Sequence, residues 1–145
     1  MKKSVILAIL AIYILSIAVV GFFGMKTAVY NEIKYVTEIQ LIDSKDGDYT
    51  VIYDEEDNRD NIALSYTDGL RFQLYYEVTP LDATNTAVTF DFELDEYSDY
   101  IQISSTGVVT VLPGDYEYIT VYGKIRAQDG SRASSRTICI FIMKW

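Results

Sequence analysis

The sequence contains no histidine and only one cysteine, Cys139, among its 145 residues. Without histidine, the chain lacks the commonest general acid or base, the Ser-His-Asp and Cys-His nucleophile systems, and the commonest metal ligand. A single cysteine cannot form a disulfide within the chain, so a disulfide-stapled scaffold is excluded. We therefore expect a fold held by its hydrophobic core, a protein that is not an enzyme, and no cofactor.

Basic residues are also scarce, with 12 Lys and Arg against 21 Asp and Glu. Three of the bases (Lys2, Lys3 and Lys26) lie near the N-terminus, whereas every acid lies at or beyond Glu32. The remainder of the chain therefore holds nine bases and 21 acids, a formal charge of −12. Such a field repels phosphate backbones, so we expect no nucleic-acid partner.

Charge is missing altogether from residues 4–25, SVILAILAIYILSIAVVGFFGM. At about 1.5 Å per residue, a helix of that length spans the hydrocarbon core of a bilayer, about 30 Å thick. Lys2 and Lys3 precede the segment and Lys26 alone follows it, which favours a cytoplasmic N-terminus. The pattern predicts a single-pass protein of the cell membrane, held by residues 4–25, whose remaining chain is extracytoplasmic.

A cleavable signal peptide is the alternative, because Ser16 and Ala18 offer a small-x-small cleavage site. Cleavage there would leave the apolar stretch VVGFFGM at the new N-terminus, so retention as an anchor is favoured. The predicted organisation is a transmembrane signal anchor at residues 1–25, a tether at 26–32 and one folded domain at 33–145.

Beyond residue 32 the apolar residues recur with a period of two, which is typical of β-strands. The pattern is regular at residues 70–79, 88–95 and 119–127, and residues 138–143 are apolar on both faces. An earlier run predicts one shared face for Ile33, Tyr35, Ile39 and Leu41, whereas the apolar Val36 and Ile42 on the other face favour the alternative register. Turn signals separate these runs at spacings of about 8 to 12 residues, which favours a β-sandwich.

Residues 76–93, YEVTPLDATNTAVTFDFE, resemble the bacterial immunoglobulin-like domains of group 2, known from invasin-like and intimin-like surface proteins. The likeness extends through DYIQISSTGVVTVL and ITVYGKIRAQDGSRASSRTICIFI and covers about residues 67–142. It implies an all-β, immunoglobulin-like β-sandwich, here preceded by one N-terminal transmembrane helix, in a stalk, spacer or adhesive role with no catalytic residue. Phe90 stands where the family usually has Trp, and residues 43–66 are longer and more acidic than the family pattern.

The segment at residues 43–60, DSKDGDYTVIYDEEDNRD, is the most acidic part of the chain. Carboxylate oxygens are preferred ligands of Ca²⁺, so Asp54, Glu56, Asp57 and Asp60 are candidate ligands of a calcium ion. Their spacing matches no known calcium loop, and a solvated acidic loop is the alternative interpretation.

Tyrosine is abundant, with 13 residues, and a tyrosine buries a large area at low entropic cost. Candidate residues for binding a sugar or a protein are Tyr75, Tyr97, Tyr100, Tyr116 and Tyr122, although ordinary packing within strands explains such residues too. These observations favour a structural or binding role at the bacterial cell surface, with another envelope protein or a cell-wall component as partner. An accessory subunit of a membrane complex and a carbohydrate-binding module are the alternatives.

Overall fold

The computed structural model describes residues 2–27, 32–66 and 69–144. The chain divides into two compact units, Met1–Glu32 and Ile33–Trp145. Residues 28–31 of the predicted tether lie outside the described residues, as do residues 67 and 68 at the start of the stretch that resembles the immunoglobulin-like family.

The first unit contains one helix, α1 (Lys3–Thr27), as its uncharged sequence predicts. The side chains described along this helix, as far as Phe22, are all exposed, although nearly all of them are apolar. The hydroxyl of Ser16 donates a hydrogen bond to the carbonyl of Ile12 (2.8 Å), so this polar group is satisfied within the helix. By length and composition α1 can cross a membrane, and a signal sequence has the same properties.

The described residues of the second unit form ten β-strands and one turn of 3₁₀ helix, which confirms the prediction of a strand-rich domain. The 3₁₀ turn spans Asp95–Tyr97 and follows the sixth strand. The strands are β1 (Glu38–Ile42), β2 (Ile52–Asp54), β3 (Arg59–Tyr66), β4 (Arg71–Gln73), β5 (Tyr75–Thr79), β6 (Val88–Glu93), β7 (Ile101–Ile103), β8 (Val108–Val111), β9 (Tyr118–Ala127) and β10 (Thr137–Lys144).

The strands form one five-stranded sheet with the order β2-β3-β10-β9-β6, a three-stranded sheet β4-β8-β7 and a two-stranded sheet β1-β5. All pairs are antiparallel except β3 with β10, which are parallel. Strands β4 and β5 are separated only by Leu74, so the two smaller sheets are consecutive along one bent stretch of chain. The arrangement is sandwich-like, because one core draws its buried side chains from all three sheets.

Alternation along the strands places the core as the sequence predicts. Phe72, Leu74 and Val78 are buried along β4 and β5, and they contact a core that includes Val121 and Ile140 of the five-stranded sheet. Phe90 is half-buried and packs against this core from β6. Strand β5 ends at Thr79, directly before Pro80, whose missing N–H removes a donor from the ladder.

The prediction for the first strand was partly wrong. Ile39 and Leu41 are buried, but Ile33 and Tyr35 are exposed, and Val36 is buried instead. The reason is that β1 begins only at Glu38, so strict alternation does not extend back to residue 33. Ahead of β1, the N–H of Val36 donates to a carboxylate oxygen of Asp129 (2.6 Å), which turns this side chain inward.

Candidate interaction surface

The acidic segment 43–60 is tied to the core by Tyr49. Its side chain is buried, with a relative exposure of 4%, and its ring centroid lies 5.6 Å from that of Phe72. The Tyr49 hydroxyl accepts a hydrogen bond from the N–H of Tyr75 (2.8 Å). Burial raises the pKa of Tyr49, so the hydroxyl stays neutral. The segment is therefore part of the domain and not a free acidic loop.

Three of the four candidate calcium ligands, Asp54, Glu56 and Asp57, lie at the turn between β2 and β3. One carboxylate oxygen of Asp54 accepts hydrogen bonds from the N–H groups of Glu56 (3.1 Å) and Asp57 (3.4 Å). The guanidinium of Arg59 pairs with Asp57 at 3.0 Å and with Asp54 at 3.5 Å. The structure thus brings these two carboxylates together around a cation of the protein itself.

Asp60, the fourth candidate ligand, is separated from this turn. Its side chain is buried, and its carboxylate lies 3.7 Å from the guanidinium of Arg136, which in turn covers the ring of Tyr53 at 4.1 Å. Burial raises the pKa of Asp60, and Arg136 lowers it to a smaller extent. Within the described part of the chain, no group of three or more Asp, Glu, Cys or His side chains has the geometry to hold a metal ion.

All five candidate tyrosines have contacts within the domain, including Tyr97, which packs partly buried against the core. The hydroxyl of Tyr75 donates to a carboxylate oxygen of Asp46 (2.8 Å), and this bond raises the pKa of Tyr75. Tyr100 and Tyr116 are half-buried against the core, with ring centroids 5.1 Å apart. These rings contribute to packing, and only Tyr97 and Tyr122 lie beside the exposed aromatic face described next.

The outer face of β9 and β10 carries exposed apolar side chains. Tyr118 and Met143 are directly opposite one another in the register, and both are exposed. Tyr118 stacks on Phe141, with ring centroids 6.0 Å apart and an angle of 27° between the planes. Tyr122 lies on the same face of β9, four residues beyond Tyr118, and is paired with Cys139. Tyr118, Phe141 and Met143 are not among the residues predicted from the sequence, although the apolar character of both faces of β10 was a signal for the last two.

Carboxylates flank this aromatic face at the end of β6. Glu93 lies opposite Tyr122 in the β6–β9 register, and the 3₁₀ turn that follows carries Asp95, Glu96 and Tyr97. Together with Thr120, these side chains line a shallow depression. We define the tyrosine–carboxylate surface as the outward-facing set formed by Tyr118, Tyr122, Phe141, Met143, Glu93 and Glu96.

The other half of the same sheet face carries paired charges. Arg126 lies opposite Thr89 and pairs with Asp91 at 3.1 Å, while Arg59 lies across the ring of Tyr122 at 5.7 Å. Cys139 occupies the same face but is buried, and burial raises the pKa of its thiol. A protonated, inaccessible thiol is a poor nucleophile.

The arrangement as a whole is an open sheet face with exposed rings and flanking carboxylates. Exposed aromatic side chains with a polar rim are typical of binding surfaces. The chain matches no protein-family model, and it matches no curated protein.

Proposed function

We propose that this chain is a membrane-anchored, extracytoplasmic, immunoglobulin-like protein with a structural or binding role at the bacterial cell surface. The observation that carries the proposal is the exposure of α1. An apolar helix whose described side chains are all exposed would be unstable in water, since each large apolar side chain costs about 1.5–3 kcal/mol to leave unburied. Lipid is the solvent that removes this cost, and retention of the helix makes it an anchor.

The orientation follows from charge. Lys2 and Lys3 precede the apolar segment, and the chain beyond it carries a formal charge of −11. Basic residues are retained on the cytoplasmic side of membranes, and the cytoplasmic leaflet attracts bases and repels acids. Both effects favour a cytoplasmic N-terminus and an extracytoplasmic strand domain.

Strand order supports an immunoglobulin-like sandwich for the domain. In that architecture one sheet has the order A-B-E-D and the other contains C, F and G. The pairs β1-β5 and β4-β8-β7 follow the first order, if β4 and β5 are one bent strand, and β6-β9-β10 follow the second. The stretch that resembles the group 2 family, residues 76–93, contains nearly all of β5, the following turn and β6.

A non-enzymatic role fits the chemistry of the chain. Histidine is absent from the sequence, and Cys139 is buried with a raised pKa. The strongest feature of the described surface is instead an exposed aromatic face. We therefore propose a partner among envelope proteins or cell-wall components. Membership of a larger membrane complex remains the second candidate, favoured by the small residues along α1, which permit close helix approach.

Thiol labelling in intact cells tests anchoring and orientation. A Thr84→Cys variant places a thiol at an exposed position of the strand domain, whereas the unsubstituted chain has only the buried Cys139 and is the control. We expect a membrane-impermeant maleimide to label Thr84→Cys before permeabilisation, with little label on the control. The intact mass of the labelled chain from the membrane fraction should include residues 4–25. Labelling only after permeabilisation would reverse the orientation, and a chain beginning at Val19 would show that the helix is a cleaved signal.

A further inference from the structure

We propose that the tyrosine–carboxylate surface binds a cationic, apolar segment of a partner protein. This inference rests on the proposed function, because it names the surface and the partner chemistry of that binding role. Three properties of the surface favour such a partner: the exposure of its rings, the carboxylates without ion pairs, and its position within the domain.

Exposure is the first property. Tyr118 is 51% exposed, and Tyr122 and Met143 are 44% and 42% exposed, although each lies on a central strand of the largest sheet. The inward residues of the same strands, among them Ile119 and Ile140, are fully buried. The sheet therefore has a complete core on one face and a patch of exposed apolar side chains on the other. Burial of rings of this size is the dominant gain in protein–protein association.

Charge is the second property. Five acids in the described part of the domain pair with bases, among them Asp91, which pairs with Arg126 and is the acid of β6 nearest to Glu93 on the same face. Within the described residues, no ion pair involves Glu93 or Glu96, nor Asp95 between them. Uncompensated carboxylates beside exposed rings favour an occupant that carries Lys or Arg next to apolar side chains.

A second copy of this chain is a poorer occupant. The two domains would each carry a formal charge of −11, and an isologous contact would place like surfaces together. Like-charge juxtaposition of desolvated carboxylates is costly. The same sign argument disfavours anionic lipid headgroups at this surface.

Position is the third property. The N-terminal end of the domain is bound to the loop after β9, through the hydrogen bond from Val36 to Asp129. The surface lies at the opposite end of β9, around Tyr118 and Tyr122. At about 3.3 Å per residue, the five or more residues between Tyr122 and that loop separate the two by roughly 20 Å. Within the strand domain, the surface is thus roughly 20 Å from the residues that follow its N-terminal end.

The test uses the full chain in zwitterionic lipid nanodiscs, with binding to empty nanodiscs subtracted. Three hexapeptides separate the contributions: alternating Arg-Leu, alternating Arg-Ser and alternating Glu-Leu. We expect the Arg-Leu peptide to bind at least tenfold more tightly than either of the others. Both Tyr118→Ser and the double change Glu93→Gln/Glu96→Gln should weaken its binding at least tenfold.

Matched controls separate this surface from general electrostatics. Tyr35 is also 51% exposed, and Glu38 and Glu77 are exposed acids on the two-stranded sheet, so Tyr35→Ser and Glu38→Gln/Glu77→Gln remove the same groups elsewhere. These controls should bind the Arg-Leu peptide within twofold of the unsubstituted chain. Unchanged circular dichroism in all four variants establishes that the domain remains folded.

Several outcomes would overturn the inference. Equal affinity for the Arg-Leu and Arg-Ser peptides would show that net charge alone causes the binding. An equal loss of affinity in the control variants would lead to the same conclusion. If no peptide binds, self-association that Tyr118→Ser abolishes would assign the surface to a second copy of the chain. Binding of a chito-oligosaccharide that Tyr118→Ser abolishes would then assign it to a glycan. Each of these results leaves the labelling of Thr84→Cys unaffected, so failure here is distinguishable from failure of the proposed function.

Discussion

Gly107 lies directly against the ring of Phe90, and a Cβ atom at position 107 would lie 2.6 Å from the Cζ atom of that ring. The backbone of Gly107 also has a φ of +84°, in the left-handed region that L side chains rarely adopt. Its carbonyl accepts a hydrogen bond from the N–H of Leu74 (2.8 Å), which joins this turn to the bent stretch between β4 and β5. Gly107 thus permits the backbone conformation of the turn, leaves room for the Phe90 ring and accepts the hydrogen bond from Leu74.

Gly107→Ala should therefore lower the free energy of unfolding of the strand domain, residues 33–145, by about 2–4 kcal/mol, since backbone strain and overpacking add. Gly47→Ala is the matched control. Gly47 has a φ of +80° but no atom within 4 Å of its Cβ position. It should cost about 1 kcal/mol, the strain alone. Urea titration followed by circular dichroism measures both, and equal costs would remove the role of the Phe90 contact.

Phe90→Ala should also destabilise the domain, because its ring packs against the core and meets the Tyr76 ring edge to face at 5.9 Å. Phe90 is only half-buried, so we expect about 2–3 kcal/mol, below the usual range for a fully buried aromatic residue. Its neighbour Thr89 points to the other face of β6, and Thr89→Ala should stay within about 0.5–1 kcal/mol. Denaturant titration of both variants measures the difference, which vanishes if the register of β6 is wrong.

Asp60 should make the domain less stable as pH rises. Burial raises its pKa above that of the unfolded chain, so the stability given by its neutral form is complete below the unfolded value and is lost as pH rises through the folded value. Asp60→Asn cannot ionise. The free energy of unfolding of Asp60→Asn minus that of the unsubstituted chain should therefore be larger at pH 7 than at pH 3. Paired urea titrations at both pH values measure this, and a difference of opposite sign would show that the Arg136 ion pair outweighs burial.

Asp129 should act in the opposite direction. Hydrogen bonds from Ser131 and from the N–H of Val36 lower the pKa of its carboxyl group, so its contribution is present above the unfolded value and is lost as pH falls through the folded value. Asp129→Asn should lower the free energy of unfolding at pH 7 and change it much less at pH 2. Thermal unfolding at the two pH values measures the change. An equal effect at both pH values would mean that the negative charge of Asp129 does not contribute to its hydrogen bond with the N–H of Val36.

Much of this architecture is determined by local sequence. An uncharged run from residue 4 to residue 25 predicts α1, because charge in lipid is costly wherever it stands in the fold. Alternation predicts the buried faces of β4, β5, β9 and β10, because the side chains of a strand point alternately to its two sides. Pro80 and Gly107 mark a strand end and a turn through backbone constraints of their own, and the structure has them there.

Tertiary structure decided the rest. The sequence marks Tyr118, Phe141 and Met143 as strand residues, but only the pairing of β9 with β10 makes them neighbours on one uncovered face. Among the acids of residues 43–60, Asp54 and Asp57 meet Arg59 at a turn, whereas Asp60 is buried beside Arg136, some 75 residues away along the chain. Tyr49 is buried because its ring packs against Phe72 and its hydroxyl accepts a hydrogen bond from the N–H of Tyr75. Periodicity assigns a side chain to one of two faces, but what covers that face depends on contacts between residues distant in sequence.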